Sequence, residues 1–308
     1  MKILITGGAG FIGSNLSSYL LTQKHDVVIV DDFSTGKLSN IENLDVEIIE
    51  SKIQDLNKEI FKEVECVIHL AAQASVPVSM EDFYTSSSNN LISSIKVFEI
   101  AKEYSVPVIY ASSAAVYGNL PIGDDSSNEN EILSPYALDK LTLEAYASLC
   151  SKIFSIPSIG FRFFNVYGKN QDPKNPYSGV ISIFTSQSIK DEDMKIFGGE
   201  QTRDFIHVRD LCKIIEKAII TLTNSKTTNA EILNLGTGAS ISILSLANKI
   251  KDLVQSESVI KILSPLDGDP IRSEGNYKKL ISTLEISDFK FMDLDEGLLE
   301  VISWLKEQ

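Results

Sequence analysis

Tyr136 and Lys140 stand four residues apart, the spacing that puts two side chains on one helix face about a turn from each other. A lysine ammonium beside a phenol favours phenolate, and a nicotinamide cation nearby would favour it further, so the pair has the makings of a general base. The phenol's ordinary pKa of about 10 would then be drawn toward the working pH. The pattern alone says little, because a chain of 308 residues holding 10 tyrosines produces about one Tyr-x-x-x-Lys by chance. Its setting carries the weight. Ser134 is a good N-cap and Pro135 fits the first helical position, so a helix starts just before the tyrosine. Upstream, a β-branched run at 107–113 ends in Ser112-Ser113. A serine hydroxyl there can bond a substrate hydroxyl or ketone and relay its proton toward the phenol.

A second constellation opens the chain. Gly7-Gly8-Ala9-Gly10-Phe11-Ile12-Gly13 follows a strand pattern at 2–6 and begins a helical one. Glycines at that junction let the backbone turn tightly and aim its N–H groups at a pyrophosphate on a helix N-terminus. The next strand pattern ends in Asp31-Asp32. A carboxylate there accepts hydrogen bonds from both ribose hydroxyls of adenosine and repels a 2′-phosphate, which favours NAD over NADP.

Both constellations need a frame. Strand patterns at 2–6, 26–32, 46–50, 66–72, 107–113 and 158–166 alternate with helical segments such as 14–24 and 87–104. Near-continuous apolar runs such as VVIV and CVIHLAA suit strands buried on both faces. The expectation is an α/β fold, a Rossmann-type doubly wound parallel sheet over 1–168, with 204–240 returning to it. The remainder, 169–308, reads as a smaller mixed α/β lobe that opens with a Pro- and Asn-rich loop at 169–179. Its expected elements are a helix at 180–190, strand then helix at 203–222, a strand at 231–235, a helix at 243–254, a strand at 259–263 and a closing helix from 295. Ligands of such sheets bind beyond the carboxyl ends of the strands, so the site is expected between the lobes.

Composition removes other classes. The net charge is −14 and the pI about 4.7, which leaves no basic face to displace counterions from a nucleic acid. Cys66, Cys150 and Cys212 are scattered and odd in number, neither a disulfide framework nor a zinc cluster, so a cytoplasmic, reducing setting is expected. The uncharged stretch 3–23 is broken by four glycines and several polar residues, so it is read as neither signal peptide nor membrane span. His25, His69 and His207 lack metal-ligand spacing, and His69 reads as a core histidine.

Along its whole length the chain resembles the extended short-chain dehydrogenase/reductase family, and within it the UDP-glucose and UDP-N-acetylglucosamine 4-epimerases. The motifs are ITGGAGFIGS, VDDFSTGK, HLAAQASV, SSAAVYG, SPYALDK, FRFFNVYG, QTRDFIHVRDL, NLGTG and GDPIRS, in family order. The resemblance implies that Gly7, Gly10, Phe11, Ile12 and Gly13 hold an NAD pyrophosphate and Asp31 the adenosine ribose. Asp32, Ser34, Thr35, Gly36 and Ile53 would line that pocket, Leu70, Ala71 and Ala72 would pass beneath the cofactor, and Phe163 would lie near the nicotinamide. Ser113, Tyr136 and Lys140 would be catalytic, with Tyr136 and Lys140 also touching the cofactor and Ser113 the substrate. Asn165, Ser178, Val180, Arg203 and Arg272 would grip a nucleotide diphosphate. A homodimer through a four-helix bundle is implied as well, with no membrane partner.

Two places depart from the family. Ser51-Lys52-Ile53 stands where Gly-Asp-Ile or Gly-Asp-Val usually meets the adenine amino group, and lysine cannot accept that hydrogen bond. In GDPIRS the arginine sits one place late. Family dehydratases and decarboxylases carry an acid just after the strand-end serine or threonine, whereas here Ala114 and Ala115 follow. The expected reaction is therefore inversion at C4 of a UDP-sugar through a transient 4-ketone. An NAD(P)-dependent reductase or dehydrogenase, or a non-catalytic nucleotide-sugar binder, is the alternative. The small Ser273, at the family's pocket-width position, implies room for an N-acetyl group.

Overall fold

The computed structural model of the chain describes residues 1–175, 178–224, 228–265 and 270–308. From the amino terminus the elements are β1 (Lys2–Thr6), α1 (Phe11–Thr22), β2 (Asp26–Asp31), β3 (Glu47–Glu50) and β4 (Cys66–His69). Then come α2 (Val76–Glu81), α3 (Phe83–Ser87), α4 (Ser93–Tyr104), β5 (Val108–Ser113), β6 (Gly123–Asp124), α5 (Pro135–Phe154), β7 (Ser158–Phe163) and β8 (Asn165–Tyr167). The chain continues with α6 (Val180–Ile189), β9 (Met194–Phe197), β10 (Thr202–His207), α7 (Val208–Asn224), β11 (Ala230–Leu235), β12 (Ser240–Ser242) and α8 (Ile243–Val254). It closes with β13 (Ile260–Leu263), β14 (Arg272–Ser273), β15 (Gly275–Asn276), α9 (Lys278–Leu284) and α10 (Leu294–Lys306).

Seven strands form one sheet in the order β11-β7-β5-β4-β1-β2-β3. β1 lies between β2 and β4 and is parallel to both, with Thr6 opposite Val30 on one side and His69 on the other. The chain steps outward from β1 to β3 and then crosses back to β4, so the strand order reverses beside the carboxyl end of β1. The apolar runs are inside: Ile3, Leu4, Ile5, Val67 and Ile68 are fully buried, as two covered faces require.

Two compact units result. The first is Met1–Val116, Ile132–Arg162 and Cys212–Leu233; the second is Tyr117–Glu131, Phe163–Leu211 and Asn234–Gln308. The return to the first unit is shorter than the expected 204–240, because β10 pairs with β8 and stays in the second unit. The strand expected at 158–166 also divides. After Phe163 the chain leaves the large sheet, and Asn165–Tyr167 registers against Phe205–His207. The second unit has its own core, which includes Tyr167, Phe184, Met194, Leu246 and Leu298.

Other boundaries moved for local reasons. α1 begins at Phe11 rather than 14, since Gly10 is already extended and acts as its N-cap. β4 stops at His69, where the Leu70 and Ala71 amides turn to donate to the carbonyl and hydroxyl oxygens of Thr6. The helix expected over 87–104 opens with a π-helical turn at Ser88–Ile92 before α4.

Candidate active site

Every residue expected to hold a dinucleotide, save Phe163, lies in the first unit, and so do Ser113, Tyr136 and Lys140. The glycine loop is shaped by close approach. Gly7 has φ +72°, and a Cβ there would lie 2.7 Å from the Ala71 nitrogen. A Cβ on Gly13 would lie 2.2 Å from the Gly7 oxygen, so no other residue fits either position. Gly10 caps α1 without a side-chain hydrogen bond, and no acidic residue stands in the first turn. The helix start therefore presents its N–H groups and dipole to an anion.

At the end of β2, Asp31 is buried and accepts from the Ala9 and Phe33 amides, both at 2.9 Å. Burial raises its pKa, those two amides pull it down, and the neighbouring Asp32 raises it again. Each carboxylate oxygen keeps a lone pair for a ribose hydroxyl. Asp32 turns back on its own loop, accepting from the Ser34 amide at 3.0 Å and hydroxyl at 2.5 Å. Beyond Thr35 and Gly36, the Lys37 amide and the Asn40 side chain both donate to the Ala9 oxygen, lacing this loop to the glycine loop. Ile53 is buried, next to Lys52, whose carbonyl accepts from the Ser51 hydroxyl. Leu70, Ala71 and Ala72 are partly buried where β4 ends, and Phe163 is partly buried at the last position of β7.

The catalytic candidates converge. Ser134 accepts from the Ala137 amide at 3.1 Å and Pro135 holds the first turn, so α5 starts where its own residues dictate. Tyr136 is 8% exposed, and the Ser113 side chain bears on its phenol, partly offsetting the rise in pKa that burial causes. Ser112 points elsewhere, donating to the buried Glu144 carboxylate at 2.5 Å. Lys140 donates to the Ala111 oxygen at 2.7 Å and stands 5.7 Å from the centre of the Tyr136 ring. Burial brings the lysine down to about 8, against the upward pull of Asp139 and Glu144.

Burial pushes the Tyr136 pKa up and the Ser113 hydrogen bond pulls it back, without a net fall toward neutrality. Lys140 donates to the Ala111 carbonyl, and burial of the phenol is the larger of the two effects on its pKa. The chain by itself holds the base ready and protonated.

His69 is a core residue, with Nδ1 at 2.7 Å from the Thr6 hydroxyl and Nε2 at 2.9 Å from the Ser94 hydroxyl. Burial, and then the Lys140 charge, lower it to about 3, so it is neutral at physiological pH.

The substrate candidates lie in the second unit. Asn165 donates to the Asp204 oxygen at 3.2 Å. Arg203 donates through Nη1 to the Thr202 and Pro270 oxygens, both at 2.8 Å. β10 and β14 run parallel, with Arg203 opposite Ser273 and Thr202 opposite Arg272. Side chains alternate along a strand, so Arg203 and Ser273 share one face while Arg272 points the other way, exposed to solvent. The two arginines therefore do not form one clamp. Ser178 closes its own loop on the Asp172 oxygen at 2.6 Å, and Val180 opens α6 with its side chain against the second core. Gly268 and Asp269 of GDPIRS, and Pro176 and Tyr177 of the 169–179 loop, lie outside the described residues.

Sequence reasoning missed the polar residues that hold this scaffold. Asp204 is fully buried and gathers the Thr237 amide and hydroxyl and the Gly238 amide. Asn234 is also fully buried and accepts from the Tyr117 hydroxyl at 2.7 Å while donating to the Gly123 and Asn276 oxygens. Their motifs were visible, but long-range partners leave no local spacing to read. A groove of about 820 Å³ in the second unit, lined by Ile122, Glu129, Tyr277 and Ile281 among others, contains none of the candidate residues. Among the described residues, no group of His, Cys, Asp and Glu is arranged to hold a metal ion, and no helix is long and apolar enough to cross a membrane.

Residues 3–236 match the family model described as the NAD dependent epimerase/dehydratase family. A Methanocaldococcus jannaschii protein, provisionally named UDP-glucose 4-epimerase, is 37% identical over 313 residues, covering 99% of this chain and 98% of that protein. A UDP-N-acetyl-alpha-D-glucosaminuronate decarboxylase of Bacillus cytotoxicus is 33% identical over 99% of this chain and 98% of its own length. Among solved structures, the UDP-N-acetylglucosamine 4-epimerase of Methanobrevibacter ruminantium M1, in complex with UDP-N-acetylmuramic acid, superposes with a TM-score of 0.90. It is 32% identical, over 99% of this chain and 98% of that one.

Proposed function

The chain belongs to the NAD dependent epimerase/dehydratase family, and we propose that it is a UDP-sugar 4-epimerase with Tyr136 as its acid/base. One observation carries the reading. The Tyr136 phenol meets Ser113 at the end of β5 with Lys140 one turn on, while Ala114 and Ala115 follow the serine. That set can move a proton on and off a sugar hydroxyl. It lacks the carboxylate that elimination or decarboxylation needs just after the serine.

The residues fit NAD. Gly7 and Gly13 leave the backbone open where a Cβ would collide, α1 offers an N-terminus with no side-chain cap, and Asp31 stands at the end of β2 to accept from a ribose. NAD, when bound, supplies the acceptor that takes a hydride from C4 and returns it to the other face, together with a positive charge beside the phenol. Ser113 holds the sugar 4-oxygen. Tyr136, as phenolate, takes the 4-hydroxyl proton and later gives it back to the 4-ketone, with the Lys140 ammonium favouring the phenolate before the first transfer and after the second. The sequence is redox-neutral overall.

Arg203 and Asn165 are proposed to grip the diphosphate, since a guanidinium can donate two bonds to one phosphate. Ser273, beside Arg203, is proposed to leave room for a C2 acetamido group, so UDP-N-acetylglucosamine is accepted alongside or ahead of UDP-glucose. A second copy of the chain is proposed to cover the exposed apolar residues Met80, Phe83, Tyr84, Leu149 and Ile153 around α2, α3 and α5 as a homodimer. The free, buried cysteines suit a reducing, cytoplasmic setting.

The test is incubation of the purified protein with UDP-glucose and UDP-N-acetylglucosamine without added cofactor. The 4-epimers should form, and NAD should be released on denaturation. A requirement for stoichiometric NADPH, with a deoxysugar as product, would instead make it a reductase.

A further inference from the structure

Helix α5 carries a third polar residue on its catalytic face. Tyr136, Lys140 and Glu144 follow one another at four-residue intervals. Glu144 is 7% exposed and has no part in the chemistry above. Its Oε1 accepts from Arg162 Nε at 2.9 Å and its Oε2 from Arg162 Nη2 at 2.7 Å, a side-on fork between two buried ions. Oε1 also accepts from the Ser112 hydroxyl at 2.5 Å. One carboxylate thus ties three elements together: α5 itself, β5 through Ser112, and β7 through Arg162.

The position of Ser112 gives that tie a meaning. The residue before it, Ala111, offers the carbonyl that receives Lys140, and the residue after it, Ser113, bears on the Tyr136 phenol. Both contacts span α5 and a three-residue stretch whose middle member is pinned to α5 by Glu144. A buried ion pair is a poor source of stability, because desolvating both ions offsets most of their attraction. A two-point fork does fix distance and orientation closely.

We propose that Glu144 and Arg162 are positioning residues, setting the register of α5 against the end of β5 so that Lys140 and Tyr136 meet their partners together. The inference rests on the roles given to Tyr136 and Lys140 above. It has an electrostatic corollary. The titratable groups that bear on Lys140 are Asp139, Glu144, Tyr136 and the neutral His69; only the two carboxylates favour its charged form, and burial opposes them. Removing the Glu144 charge leaves Lys140 easier to deprotonate.

The experiment compares wild-type protein with Glu144→Gln and with a double variant, Glu144→Met with Arg162→Met, which removes both charges together. Steady-state kinetics across pH on UDP-glucose and UDP-N-acetylglucosamine are paired with an NMR titration of the lysine side chains, assigned through Lys140→Met. For Glu144→Gln, kcat should fall about tenfold or more with KM within about twofold. The alkaline limb and the Lys140 midpoint should both move to lower pH by about a unit. The double variant should keep its circular dichroism and still lose kcat, which decides the matter if Glu144→Gln does not fold. Folded variants with wild-type kcat and pH profile would overturn the proposal and leave the pair merely structural. If wild-type protein inverts no UDP-sugar, the proposed function fails by itself. The NMR midpoint still judges Glu144, and an unmoved Lys140 overturns its role.

Discussion

The Lys140 ammonium is anchored 2.7 Å from the Ala111 oxygen, two residues before the serine that meets Tyr136. The charge meant to stabilise phenolate is therefore held by the strand that also carries the serine bearing on the phenol. Burial keeps the phenol protonated in the chain alone.

Activity should depend on pH as a bell. With the cofactor's charge beside the phenol, the rate should rise as Tyr136 gives up its proton, and it should fall as Lys140 loses its own, at about 8 in the chain alone. Lys140→Met should lower kcat by about a hundredfold or more and abolish the alkaline limb, measured as initial epimerisation rates from pH 5 to 10.

Tyr136→Phe removes one hydroxyl and leaves the ring packed. We expect kcat to fall about a thousandfold while thermal unfolding and NAD content stay near wild type. Epimerisation at wild-type speed would exclude the phenol as the base.

His69 makes stability fall in acid. Its folded pKa, about 3, is lowered by burial from an ordinary value of 6.5. Between those values the unfolded chain binds a proton that the folded chain refuses, so stability is lost as pH drops through that window. The slope approaches about 1.4 kcal/mol per pH unit for one proton. Urea unfolding at pH 7, 6 and 5 should show it, and His69→Gln should flatten it while lowering stability at pH 7.

Gly13→Ala should abolish NAD binding in calorimetry, because the added methyl carbon would sit 2.2 Å from the Gly7 oxygen and force the loop apart. Ser113, Tyr136 and Lys140 are untouched by the change. Retained affinity would mean that the loop can yield.

Ser273→Tyr should reduce kcat/KM for UDP-N-acetylglucosamine much more than for UDP-glucose, because Ser273 shares a face with Arg203. Equal losses on the two substrates would refute a gating role for this residue.

The amino-acid sequence by itself determined the α/β alternation, the glycine loop, the acidic end of β2 and the start of α5, because each rests on local chemistry. Glycine at φ +72°, a serine N-cap and apolar runs for two-sided burial act within a few residues of themselves. It also put Tyr136, Lys140 and Glu144 on one face, although only the first two drew attention. The tertiary structure alone decided that Ser112 is bound to Glu144, that Arg203 and Arg272 face apart, and that the chain changes sheets after Phe163. Those outcomes turn on which strand pairs with which, and on buried partners as distant in sequence as Glu144 from Ser112 or Asn234 from Tyr117. Desolvation set the remainder. How far Tyr136, Lys140 and His69 move from their ordinary pKa values depends on how completely the fold removes water from around them.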